Sequence, residues 1–254
     1  MTPPTPTQTT HTYQHLPTTL RSPSHPILLR TLQPADAPAL AALLSDPRNT
    51  ALDGGPNTPP PQPMSTATAE SVIQRMRESA AQPTIVDGRS GRVRRGPGRV
   101  NLVVVYLGPS ARDGDGDGER EVEGDDGEAA KGEGRVIGLG GFGGIKDLDA
   151  AGNTVSTPEL PDGEEFLRVG DVGAMIDPAY RGRGFGAEAV RLAMEWGFRR
   201  AEAGGLQLDK ITATTLAVNG PMVAVFERKM GWTGTRKGEE VEFAMTVGEW
   251  EARK

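Results

Sequence analysis

Apolar residues recur in two rhythms along this chain, and the change from one to the other lays out its elements. Ala187, Val190, Met194, Phe198 and Ala201 fall at helical spacing, with Glu188, Arg191, Glu195, Arg199 and Glu202 largely on the other side. This predicts an amphipathic helix that opens near Gly184 and is closed by Gly204-Gly205. Just upstream, Phe166 to Ile176 predicts a strand, with Leu167, Val169, Val172, Ala174 and Ile176 as its apolar content and Asp177-Pro178 as its stop. Ile211 to Leu216 predicts the next strand, and Asn219-Gly220-Pro221 opens a short helix that Gly231 stops.

The flanking segments extend the alternation. Ile27 to Leu32 reads as a first strand, Asp36 as the cap of a helix through Leu40, Leu43 and Leu44, and Val72, Ile73 and Met76 as a further helix. Leu102 to Leu107, the glycine-heavy run Arg135 to Ile145, and Val241 to Val247 are expected as strands; the last alternates Val241, Phe243, Met245 and Val247 with Glu242, Ala244 and Thr246. Strands alternating with helices predict a mixed α/β sheet with helices on its faces.

Composition places part of the chain outside that core, since only 36% of 254 residues are hydrophobic. Residues 1–26 are rich in Pro and Thr, hold all three histidines (His11, His15 and His25) and lack apolar periodicity, so they are expected to form a disordered tail. Their scattered prolines oppose a transit helix, and no cleavable secretion signal opens the chain. From Arg112 to Arg135 there are ten acidic and four basic residues, a balance of −6, which equals the formal net charge of the whole chain. The acidity therefore belongs to an insertion at about residues 108 to 134, placed between two central strands, within a single domain spanning residues 27 to 250.

Several chemistries are removed by what the chain carries. With no cysteine there is no disulfide, thiol nucleophile or Cys-type zinc site, which is compatible with an intracellular, cytoplasmic or nuclear, setting. With every histidine in the tail, a His general base or His-ligated metal is removed unless the tail docks back. Asp113-x-Asp115-x-Asp117-Gly118 matches the first half of a calcium loop, but its twelfth position is Gly124 and Glu123 comes one residue early, so no metal site is expected. Arg89, Arg92, Arg94, Arg95 and Arg99 form a basic run without interleaved aromatic residues, which argues against nucleic acid. No apolar run has the length of a membrane helix.

What remains is Arg181-Gly182-Arg183-Gly184-Phe185-Gly186, set between the strand ending at Ile176 and the long helix. Amides crowded at a helix start form an anion site, the glycines let the backbone approach a pyrophosphate, and Arg181 and Arg183 add charge at the rim. Gly182-x-Gly184-x-x-Ala187 also satisfies a dinucleotide fingerprint, but Ile211 to Leu216 ends without the acidic residue that would hold a ribose. A plain glycine turn joining strand to helix would not require two arginines and three alternating glycines.

The run from Asp171 to Ala189, with Arg181-x-x-Gly184-x-Gly186 at its centre, resembles the GCN5-related N-acetyltransferases, nearest the branch that acetylates protein N-termini and small amines. The resemblance continues at Asn219 and at Lys229-Met230-Gly231-Trp232, and more weakly at Leu28-Arg30-Leu32 followed by Asp36 to Asp46. It implies a mixed, mostly antiparallel sheet of six to seven strands flanked by helices and split where acyl-CoA inserts. The implied reaction moves an acetyl group from acetyl-CoA to a primary amine by direct attack. The acceptor would be a small molecule, a protein N-terminus or a lysine.

By the same resemblance, pantetheine would lie along Ala174, Met175 and Ile176, the pyrophosphate on the amides of Arg181, Gly182, Arg183, Gly184, Phe185 and Gly186, and Asn219 against the cofactor arm. Asn219 reads equally as a helix N-cap. Asp171 is the first candidate for the base that takes the ammonium proton, with Glu164 or Glu165 as alternatives; each reads also as a carboxylate on a solvated edge. Many family members carry a tyrosine seven residues after the Asn to protonate the departing thiolate, and here that place is Phe226. That departure keeps a second expectation open: a non-catalytic module that binds acyl-CoA or a protein partner.

Overall fold

The computed structural model describes residues 9–50, 62–108, 134–155 and 166–253. Strands β1 (Thr10–Tyr13), β2 (Thr19–Arg21) and β3 (Ile27–Thr31) lead into helices α1 (Ala37–Ser45), α2 (Pro47–Thr50) and α3 (Thr66–Ala80). Then come β4 (Thr84–Asp87), β5 (Val93–Arg95), β6 (Val100–Tyr106), β7 (Arg135–Leu148) and β8 (Leu167–Ile176). The remainder is α4 (Phe185–Phe198), β9 (Lys210–Leu216), α5 (Gly220–Ala224), a π-helical turn Val225–Lys229, β10 (Thr235–Lys237), β11 (Glu240–Thr246) and α6 (Val247–Glu251).

Eight strands form the main sheet in the order β10-β11-β9-β8-β7-β6-β3-β2, and β1-β4-β5 form a second, small sheet. Every pair in the main sheet is antiparallel except β8 with β9. The strand count exceeds the six to seven expected because short edge strands are added at both ends, β10 and β2, the latter drawn from residues assigned to the tail.

The core lies on both faces of this sheet. Along β6, Val100, Leu102 and Val104 join the cluster under α4, while Val103 and Val105 join Leu40 of α1 and Ile73 of α3 on the opposite face. A strand covered on both sides reads as an unbroken apolar run, which is why Val100–Tyr106 shows no alternation. Helix α4 crosses the sheet closely at Gly197, where a Cβ would stand 2.6 Å from the Phe142 ring. Only glycine lets helix and strand come that near.

Three sequence expectations are corrected. Residues 9–26 are not a disordered tail: β1 pairs with β4, β2 pairs with β3, and His15 is buried at 2% exposure. Their order comes from partners distant in sequence, such as the 2.7 Å contact between His15 Nε2 and Thr84 Oγ1, which local pattern does not show. Next, α4 stops at Phe198 rather than at Gly204-Gly205, because Arg199 turns extended and Ala201–Ala203 form a separate 3-10 turn. Finally, Asp36 precedes α1 without capping it; its carboxylate accepts from the Gln33 amide at 2.7 Å and from both terminal nitrogens of Arg30 at 2.7 Å. Most of the acidic insertion, with its calcium-like run, and Glu164 and Glu165 lie outside the described residues.

Candidate active site

Among the described residues the sheet has one parallel pair, and there it opens. Strands β8 and β9 are paired only where Val169 faces Lys210, Gly170 faces Ile211 and Asp171 faces Thr212. Beyond that point β8 stays with β7 and β9 stays with β11, so Val172–Ile176 and Ala213–Leu216 draw apart. Gly173, Ala174 and Met175 are partly exposed along the opening. Their backbone groups on that edge are left without a strand partner, which is a row of donors and acceptors for an extended, amide-bearing ligand.

At the wide end of the opening stands the glycine loop. Gly182 and Gly184 take positive φ, 79° and 81°, a region that L-residues with a side chain seldom enter, and Gly184 is the N-cap of α4. No hydrogen bond within the described residues uses the amides of Gly182, Gly184 or Gly186. A Cβ on Gly182 would meet nothing within 4 Å. Open amides, the positive end of a 14-residue helix and free space suit an anionic group such as a pyrophosphate.

Arg181 departs from the rim charge expected of it. Arg181 is turned inward: its Nε donates to Ile176 O at 3.0 Å, and its Nη2 donates to Arg48 O at 3.2 Å and to Asn49 Oδ1. It ties the end of β8 to α2. Arg183 lies over the Tyr180 ring, 5.3 Å from its centroid. Beside this tie a cleft of about 420 Å³ opens among Arg30, Asp46, Arg48, Asn49, Arg135 and Asp177.

Asp171 sits at the fork itself, where Thr212 Oγ1 donates to its carboxylate at 3.3 Å. Burial by the surrounding sheet pushes its carboxyl above the ordinary value, against the Thr212 hydrogen bond and the Lys146 charge that pull the other way. Asn219 accepts from the Met222 amide at 3.3 Å and so caps α5. Phe226 is 1% exposed, stacked on Phe243 at 5.0 Å and tilted against Trp232 at 5.4 Å. It is a core residue, and its ring edge serves packing rather than proton transfer.

Sequence reasoning missed one neighbour of the loop. His25, placed in the tail, lies against Gly184, and Glu188 on the first turns of α4 binds Ser22 and Ser24 beside it. No local signal pointed to it: Glu188 falls with the other charged residues on the polar side of the helical pattern, and its 5% exposure follows only from the fold.

A sheet that opens between two parallel strands above a glycine-capped helix defines the class of acyltransferases that draw their acyl group from a CoA thioester. The chain belongs to the GNAT acetyltransferases: the family's acetyltransferase (GNAT) domain matches residues 27–231. Acetyl-CoA is the acyl donor of that family. An N-acetyltransferase 9-like protein from Caenorhabditis briggsae is 37% identical over 70 residues, which is 27% of this chain and 33% of that relative. The chain thus spans about a third of the length of the curated relative it matches.

Solved structures show the same fold at low identity. RimJ from Mycobacterium smegmatis, in complex with CoA-disulfide, superposes with a TM-score of 0.51 at 16% identity, covering 92% of this chain and 88% of that one. Spermidine N-acetyltransferase from Vibrio cholerae, in complex with CoA and spermine, gives 0.51 at 14% identity, covering 89% and 98%. Among the described residues, no helix is long and apolar enough to cross a membrane.

Proposed function

We propose that this enzyme transfers the acetyl group of acetyl-CoA to a primary amine by direct attack within a ternary complex. One observation carries the reading: the β8–β9 pair opens past Asp171 toward a helix N-terminus with unpaired loop amides. In this arrangement the thioester arm lies along Ala174, Met175 and Ile176, and the pyrophosphate rests on the amides from Gly182 to Gly186, the Arg181 amide being turned to Pro178 O at 3.4 Å. The amine nitrogen attacks the thioester carbonyl carbon, the carbon–sulfur bond breaks, and the sulfur leaves as CoA thiolate. A thiolate of pKa about 8.5 leaves without strong acid help, so a buried Phe226 is compatible with turnover.

The amine must attack in its neutral form, so its proton is taken by a base. We assign that role to Asp171 at the fork, directly or through water, and the developing oxyanion to a backbone amide near Met175. Asn219 caps α5 and, from that position, reaches the donor's arm. The acceptor is an amine-bearing small molecule or a protein N-terminus or lysine; two proteins that share the fold are named for acceptors of these kinds, spermidine N-acetyltransferase and the ribosomal L7/L12 alpha-N-protein acetyltransferase RimL.

Calorimetric titration of the full chain with acetyl-CoA, desulfo-CoA and NAD tests the reading. Micromolar binding of both CoA compounds and none of NAD is the expected result. Absence of CoA binding would refute it and leave a GNAT-fold module without its donor. Turnover is then followed with polyamine and peptide amines, watching for the acetyl mass on the acceptor.

A further inference from the structure

Residues 22–25 are pressed against the first turns of α4, and Glu188 holds them there. Its carboxylate accepts from Ser22 Oγ at 2.5 Å and from Arg191 Nε and Nη2 at 2.8 Å each, with Ser24 Oγ 3.4 Å away. Burial alone would raise its pKa; the hydrogen bonds from Arg191 and Ser22, with the Arg191 charge, outweigh burial and hold the carboxyl below its usual range. Ser22 Oγ also accepts from the amides of Ser24 at 3.1 Å and His25 at 2.9 Å, closing a tight turn that sets where His25 stands.

The imidazole is fixed through one nitrogen and open at the other. Nδ1 lies 2.9 Å from Ser24 Oγ and 4.0 Å from Glu188 Oε2, and the ring meets Phe185 edge-on at 6.0 Å. Nε2 lies over Gly184, 3.0 Å from where a Cβ would stand, and no contact within the described residues uses it. The side chain is 32% exposed, so the open nitrogen is within reach of a ligand on the loop. Arg183 and Arg135 sit nearby over the Tyr180 ring, at 5.3 Å and 5.9 Å, adding positive potential on this side.

We propose that His25 is a donor-binding residue supplied by the N-terminal segment: in the tautomer whose Nδ1 accepts from Ser24 Oγ, its Nε2 donates a hydrogen bond to a phosphate oxygen of the acyl-CoA diphosphate held on the glycine loop. This rests on the reading of that loop as the diphosphate site. Gly184 is then required twice, for its left-handed backbone and for the room that lets the ring approach. Glu188, Ser22 and Ser24 are positioning residues, since they act on the ligand only through His25.

The test is calorimetric titration of the full-length wild type, His25→Ala and His25→Gln with CoA, and with pantetheine as a phosphate-free control. His25→Ala is expected to weaken CoA about 10-fold while pantetheine binds as in wild type; Gln, which keeps an N–H donor, recovers part of the loss. A wild type and a His25→Ala that bind CoA equally would overturn the proposal and leave the loop assignment standing. A wild type that binds no CoA overturns the loop assignment as well. Independently of any variant's fold, the His25 ring proton signals of the wild type should shift on adding CoA, and signals that stay put sink the idea.

Discussion

His15→Gln is the perturbation that best tests the docked N-terminal segment. The imidazole is 2% exposed, bound through Nε2 to Thr84 Oγ1 and set edge-on to Trp196 at 5.9 Å. Burial, and then the charge of Arg168, lower its pKa from 6.5 to about 4. Arg168 is itself buried, with Asp147 on its guanidinium and Asp209 on its amide. Because the folded value is depressed, the neutral ring's stabilisation is complete above pH 6.5 and is lost as pH falls toward 4, where the unfolded chain binds a proton that the folded chain refuses. A shift of this size is worth about 3 kcal/mol, at about 1.4 kcal/mol per pH unit inside the window. For a chain of this length that is a fall in Tm of about 6 to 12 °C.

Gln fills the site and can still bond Thr84, yet does not titrate. Urea unfolding of both proteins from pH 4 to 8 gives a difference curve in which carboxylates common to both cancel. The wild type should lose about 3 kcal/mol relative to the variant between pH 6.5 and 4. A flat difference curve would refute the reasoning, because it would mean that His15 titrates equally in both states and the segment is not docked as described.

Three further outcomes are expected. Gly184→Ala should melt lower by about 1 to 2 kcal/mol, since φ is 81° and the new methyl meets His25, and should weaken acetyl-CoA binding, whereas Gly186→Ala, whose Cβ meets Ile176 Cγ1 at an ordinary 3.5 Å, should melt no lower and keep the ligand; calorimetry and thermal melts decide. Asp171→Asn should remove the acidic limb of the kcat/KM profile, which in the wild type falls as pH drops through the raised Asp171 pKa, and should lower the rate about 100-fold or more; an unaltered limb places the base elsewhere. Phe226→Tyr should cost about 1 to 3 kcal/mol, because a hydroxyl would be buried among Phe243 and Trp232, with no gain in kcat; a faster enzyme of unchanged stability would put that position in the cleft.

Much of the architecture is written locally. The helical rhythm from Ala187 to Phe198, the strand before it and the glycine run between them are patterns of residues within a few positions of each other, so they survive as α4, β8 and the loop with small shifts of boundary. The conformation of Gly184 follows from the same local information, because a helix start in the left-handed region admits glycine most easily. Residues 1–26 are rich in Pro and Thr and lack apolar periodicity, yet the structure orders most of them. Residues 9–26 are held by distant partners, β1 by Thr84–Asp87 and Ser22 by Glu188 across 166 positions.

Tertiary structure alone decided the chemistry of the individual side chains. The sequence determined that a glycine loop would meet a helix between two strands, because spacing and turn residues are local properties of the chain. That Arg181 would turn inward to α2, that Phe226 would be spent on the core, and that a histidine from the N-terminal segment would stand over Gly184 depend on contacts between residues far apart in the chain. Those contacts form only when burial of apolar area brings the elements together, and no periodicity of any one segment records them.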